Sequence, residues 1–110
     1  MPERLPLGLT ALAAAIVVAV PAFAGDPGPP RQKELIYLLK QDCGSCHGMT
    51  LKGGLGPALV PEALLDKPDE GLVDVILNGR PGTPMPPWDV ELTEDEANWL
   101  VRQLRNGIKK

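Results

Sequence analysis

The chain has 110 residues, a formal net charge of −3, two cysteines and one histidine, which is room for one small domain. Its apolar residues are unevenly spread. Residues 1–24 hold 17 of the 48, and residues 25–110 hold 31 in 86 positions, of which Pro and Gly take 21, so a large self-made core is excluded. The mild acidity and the lack of a basic block argue against nucleic acid and against an anionic membrane surface as partners.

In chain order, residues 1–24 read as an export signal. Arg4 gives a weakly positive start, residues 7–20 are dominated by Ala, Val, Leu and Ile, Pro21 breaks the run, and Ala22-Phe23-Ala24 is a small-residue cleavage pattern. The run is shorter than the ~20 apolar residues of a bilayer-spanning helix. The first cysteine, Cys43, lies too far along for lipid attachment. Cleavage after Ala24 leaves 86 residues, exported to an oxidising compartment such as a bacterial periplasm and without a stable membrane anchor. An uncleaved N-terminal anchor is the competing reading.

Residues 25–30, all Gly, Pro and Asp, predict a flexible tether. The domain proper is residues 31–110. A helix is predicted over residues 31–41, where Leu35, Ile36, Leu38 and Leu39 share an apolar face behind Pro30. Residues 42–60 are rich in Gly and predict a long loop of functional character. Residues 61–66 allow one short helical turn. A further helix is predicted over residues 68–77, with Leu72, Val75 and Ile76 on one face and an Asn78-Gly79 stop. Four prolines in residues 80–89 predict a stiff, extended segment.

The last element is the clearest. Thr93 and Glu96 form a T-x-x-E capping box, with Glu94 and Asp95 in the first turn. Ala97, Leu100, Val101 and Leu104 line one face, and Asn106-Gly107 ends the helix. No strand-like alternation persists, so the fold class is all-α, with three to four helices and two Gly/Pro-rich loops. Helices this short need something to pack against.

Cys43-Gly44-Ser45-Cys46-His47 is the C-x-x-C-H signature of c-type haem attachment. Two thiols with two residues between them reach one edge of the porphyrin, and the adjacent imidazole is held beneath the iron as proximal ligand. Small Gly44 and Ser45 allow a close backbone approach. A thioredoxin-like disulfide expects a βαβ context that this chain lacks. A structural disulfide within the motif would staple almost nothing and leave His47 unexplained. A closed zinc site takes four Cys/His ligands, and the chain has three such residues. One haem c, covalently bound through Cys43 and Cys46, is therefore expected.

His47 is the only histidine, so a second imidazole from this chain is excluded. Signal cleavage leaves Met49 and Met85. Met49 follows the proximal ligand by two residues and cannot easily reach the opposite haem face. Met85 sits 38 residues beyond His47 in Thr83-Pro84-Met85-Pro86-Pro87, where prolines on both sides fix the backbone. Met85 is the expected distal ligand. Ordinary packing of Met85, or water at the sixth position, is the competing reading.

Over residues 31–106 the order helix, C-x-x-C-H, Gly56-Pro57-Ala58-Leu59, helix, Met-Pro loop, C-terminal helix resembles the class I cytochromes c. Residues 42–57 (DCGSCHGMTLKGGLGP) and 78–88 (NGRPGTPMPPW) are more narrowly similar to cytochrome c55X, a family associated with the haem-cd nitrite reductase of denitrifying bacteria. The resemblance implies a small class I fold wrapped around one haem. It makes Cys43 and Cys46 the thioether attachments, His47 the proximal ligand and Met85 the distal one. The Pro57 carbonyl then accepts the His47 Nδ1–H. The propionate-holding tyrosine and tryptophan of longer class I proteins have no obvious counterpart. Trp88, with Arg80, is the candidate for covering the haem and contacting a propionate, against plain packing of Trp88 and a solvated Arg80.

Two protein ligands leave iron no open position. That points away from oxygen binding, peroxidase chemistry and nitrite reduction, and toward one-electron transfer by a protein that is not an enzyme. The expectation is a monomeric periplasmic carrier between an upstream electron donor and a periplasmic redox enzyme, by resemblance the haem-cd nitrite reductase. An accessory factor in maturation of the reductase's special haem competes with it, as does a redox or gas sensor with a labile Met85. A Cys/His or Ser/His/Asp hydrolase is excluded because the sole histidine is committed to iron. Gly53-Gly54 leads into no helix that would cradle a phosphate.

Overall fold

A computed structural model of the chain describes residues 2–4, 8–18 and 25–109. The expected cleavage pattern at residues 22–24 lies outside the described residues. Residues 8–18 form neither helix nor strand, and Leu9, Leu12, Ile16, Val17 and Val18 are each at least 75% exposed. That stretch therefore contributes nothing to the core.

Helix α1, Pro29–Leu38, begins two residues earlier than the periodicity predicted. Pro29 and Pro30 suit a first turn, where the backbone N–H is unpaired in any case. The expected tether is thereby shortened, and what is left of it is held in place. Gln32 Nε2 donates to the Pro27 carbonyl at 2.9 Å, and Arg102 pairs with Asp26.

The chain does not leave the helix at residue 42 as expected. It widens into a π-helical segment, Leu39–Cys43, and continues as α2, Gly44–His47. Gly44 takes helical angles, φ −59 and ψ −30, and its N–H bonds back to the Leu39 carbonyl. Leu39, at 1% exposure, anchors the segment in the core. Tertiary packing thus overrides the weak helix propensity of the Gly-Ser pair. The loop begins instead at Gly48, whose φ is +93.

Three further helices follow: α3, Pro61–Leu64; α4, Asp69–Asn78; and α5, Glu94–Asn106. Residues 80–89 are not extended throughout. Arg80 to Thr83 form a turn closed by Thr83 N–H to Arg80 O at 3.0 Å, with Pro81 and then Gly82 at φ +79. Pro followed by a positive-φ Gly is the type II pattern. Helix α5 starts at the predicted capping box, with Glu96 N–H on Thr93 Oγ1 at 3.2 Å and Thr93 N–H on Glu96 Oε2 at 3.4 Å. Such a cap stabilises a helix by about 1 kcal/mol.

Helix α5 is the centre of the packing and meets α1, α3 and α4. Leu35, Leu39, Leu64, Leu100 and Val101 are fully buried, as the periodicity implied for the faces of α1 and α5. Each fully buried Leu or Val contributes about 1.5–3 kcal/mol. Trp99 joins them at 6% exposure. Arg31 ties the start of α1 to the start of α5, with Nε on Glu96 Oε1 and Nη2 on Glu96 Oε2, both at 3.0 Å. Counting α1 to α2 as one continuous rod, the described residues form four helices and no strand. None of these helices is long and apolar enough to cross a membrane.

Candidate functional site

The helices do not close over one another. They border an apolar cleft with a cavity volume of about 80 Å³, open to solvent at its mouth. Its lining brings together Leu100, Val101 and Leu104 of α5, Leu64, Leu72 and Ile76, Cys43 and His47, and Met85 and Trp88. Apart from the Cys43 thiol and the His47 ring, every lining side chain is apolar.

His47 is set by the loop that follows it. Gly53 N–H bonds to the His47 carbonyl at 2.8 Å and Gly56 N–H to the Cys46 carbonyl at 2.7 Å. The loop thereby satisfies two acceptors left over at the end of α2. This brings the Pro57 carbonyl to 2.7 Å from His47 Nδ1. A carbonyl only accepts, so Nδ1 carries the proton in this bond, which leaves Nε2 as the ring's other nitrogen, free of the loop. The loop backbone lies flat against the ring: a Cβ on Gly56 would stand 2.8 Å from both Cε1 and Nδ1. In the sequence Gly56 is marked only by its place before Pro57; its approach to the His47 ring is visible only in the fold.

Cys43 is half-buried and faces the cleft. Burial, and then the neighbouring Asp42 carboxylate, push its thiol up to about 11. Cys46 is exposed and stands outside the cleft lining, and no disulfide joins the two cysteines. Ser45 Oγ donates to the Asp42 carbonyl at 2.7 Å, which steadies the turn between them.

The Met85 loop is pinned to the end of α4. Trp88 N–H bonds to the Ile76 carbonyl at 3.0 Å, Asp89 N–H to Leu77 O at 3.2 Å and Arg80 N–H to Met85 O at 3.2 Å. Met85 and Trp88 are half-buried against the cleft. Met49 is 64% exposed and lies outside it, near Gly44. Of the two methionines beyond residue 24, only Met85 borders the cleft. Arg80 is exposed and lines nothing there.

The structure thus brings Cys43, His47, Met85 and Trp88 around one cavity, with Pro57 behind the histidine. Cys46 stands outside the lining, and Arg80 is not drawn in. This donor set fits a flat apolar macrocycle bearing iron: one buttressed imidazole, one thioether and two thiols in a C-x-x-C spacing beside a water-poor slot. It does not fit a bare metal ion, since no cluster of three or more His, Cys, Asp and Glu occurs among the described residues.

Residues 30–103 match the family Cytochrome C oxidase, cbb3-type, subunit III. The chain is 56% identical over 98 residues to the cytochrome c55X of Pseudomonas aeruginosa, covering 88% of this chain and 82% of that one. The solved structure of the c-type cytochrome NirC superposes with a TM-score of 0.72 at 60% identity, covering 73% of this chain and 94% of NirC. The structure of dihydro-heme d1 dehydrogenase NirN in complex with DHE superposes at 0.61 and 36% identity, covering 68% of this chain but 16% of NirN.

Proposed function

The chain belongs to the c-type cytochromes, alongside cytochrome c55X, and from that premise we propose that it is a one-electron carrier of the periplasm serving nitrite reduction in denitrification. Haem c is the cofactor that the family implies. In this reading Cys43 and Cys46 hold it through thioethers, His47 and Met85 bind its iron, and Trp88 covers it. The observation that carries the reading is that His47 and Met85 border the same apolar cleft, each on a segment pinned by its own backbone hydrogen bonds.

A haem bound there would supply reversible one-electron exchange at its iron. The protein's residues do the rest. The Pro57 carbonyl fixes the His47 tautomer and raises the basicity of Nε2. Leu64, Ile76 and Leu100 keep water from the slot. A soft thioether from Met85 favours the reduced state, so a relatively high potential is expected. If His47 and Met85 both held the iron, no position would be left for a substrate, which is the behaviour of a carrier and not of an enzyme. A monomer serves this role, meeting its partner through a small transient interface.

Mixing the reduced protein with haem-cd nitrite reductase tests the partner: rapid reoxidation supports it, and no electron transfer rejects it. Carbon monoxide binding to the reduced protein at neutral pH would support a sensor with a labile methionine instead. N-terminal sequencing of exported protein tests cleavage after Ala24.

The likeness to a dihydro-haem d1 dehydrogenase favours a second reading. Dehydrogenation of dihydro-haem d1 releases electrons, and a carrier with this fold would be suited to accept them. The protein would then act in maturation of the reductase's special haem. Deleting the gene separates the two: a reductase lacking that haem supports maturation, and an intact but electron-starved reductase supports donation.

A further inference from the structure

The loop that carries Met85 closes on one backbone contact. Helix α4 ends at Gly79, at φ +70, in the left-handed region that favours glycine. More than backbone preference excludes a side chain there. A Cβ at Gly79 would stand 2.6 Å from the Met85 carbonyl oxygen and 2.9 Å from backbone atoms of Pro86 and Pro87. These neighbours are backbone stiffened by prolines, so they cannot swing aside as the tip of a side chain would. Arg80, the next residue, donates its N–H to that same Met85 carbonyl at 3.2 Å. Gly82, in the same loop, is the contrast: its φ is +79, yet nothing lies within 4 Å of where its Cβ would be.

Resting on the reading of Met85 as distal ligand, we propose that Gly79 is the positioning residue for that thioether. Its missing side chain lets the backbone of Met85, Pro86 and Pro87 lie against the end of α4, and this contact sets how far the sulfur reaches into the cleft. Any Cβ at position 79 drives the Met85 carbonyl outward and strains the Arg80 bond. A displaced sulfur holds its position a smaller fraction of the time, so an added ligand competes for that position more easily.

The test uses the mature, haem-loaded protein with Gly79→Asn and, as its partner, Gly82→Asn. Gly79 stands at φ +70 and ψ −172, a backbone region held almost only by glycine, so Gly79→Asn adds backbone strain to the clash. Strain alone would lower thermal stability without moving the sulfur-to-iron band, and only the variant at position 79 meets the Met85 backbone. The probe is imidazole titrated into the oxidised protein, read with the sulfur-to-iron absorption band. Gly79→Asn should weaken the band and raise imidazole affinity by about tenfold or more, and Gly82→Asn should stay within about twofold of the parent. Equal responses from the two variants, or an unchanged band in Gly79→Asn, would overturn the proposal. So would Gly79→Asn and Gly79→Ala chains that fail to fold while Met85→Ala folds, because the glycine would then serve the fold and not the thioether. An unchanged band in Met85→Ala rejects the reading of Met85 itself, whatever Gly79 does.

Discussion

His47 Nδ1 donates to the carbonyl of Pro57 at 2.7 Å, ten residues along the chain. That bond fixes the imidazole tautomer and aims the other nitrogen away from the loop. It is made possible by Gly56, whose backbone is pressed to within a methyl group's width of the ring.

Gly56→Ala should therefore displace the imidazole. A Cβ would sit 2.8 Å from two ring atoms, and losing such an outer contact typically weakens metal ligation about 10–100-fold. Titration of the reduced protein with carbon monoxide, together with the yield of haem-loaded chain, reads this directly. A variant with the parent's spectrum and yield would show that the contact is immaterial.

Met85→Ala should lose the sulfur-to-iron band and bind imidazole readily, whereas Met49→Leu should change neither. Met49 is 64% exposed and outside the cleft. The reverse pattern would reassign the distal ligand.

Acid stability should depend on Glu96. Hydrogen bonds from Arg31 hold its carboxyl below the usual carboxylate range, helped by the Thr93 N–H and the Arg31 charge. A depressed folded pKa stabilises the fold above the unfolded value of about 4.3 and loses that contribution as pH falls through the folded pKa. Glu96→Gln should thus be less stable than the parent near neutrality, and the gap should narrow as pH drops below about 4. Thermal melts across that range check it, and a gap independent of pH would contradict the pairing.

Cys43→Ala with Cys46→Ala should give a haem-free chain with little stable helix. Leu64, Ile76 and Leu100 all line the cleft, and a bound cofactor would complete their packing. Circular dichroism with a denaturant titration measures it. A cooperative, well-folded apoprotein would show that the helices suffice.

Much of this was legible in the sequence because it depends on residues close together in the chain. The Thr93/Glu96 box, the Leu35 and Leu100 faces and the Asn78-Gly79 stop are local patterns, and all sit where expected. The C-x-x-C-H motif was equally plain, but its conformation was not. Local propensity reads Gly44-Ser45 as loop, and only the burial of Leu39 shows why the helix runs on through it. The roles of Gly56 and Gly79 were hidden for another reason. Each is defined by an atom reached through space, the His47 ring for one and the Met85 carbonyl for the other, and no periodicity encodes such an approach.

The shortage of apolar residues beyond position 24 has its counterpart in the cleft: the core is built to be completed by a cofactor. The most direct measurement is the visible absorption spectrum of the oxidised, exported protein. A haem c spectrum that keeps its sulfur-to-iron band at neutral pH is the expected result. Haem absorption without that band would contradict Met85 as ligand, and no covalently retained haem would contradict the reading as a whole.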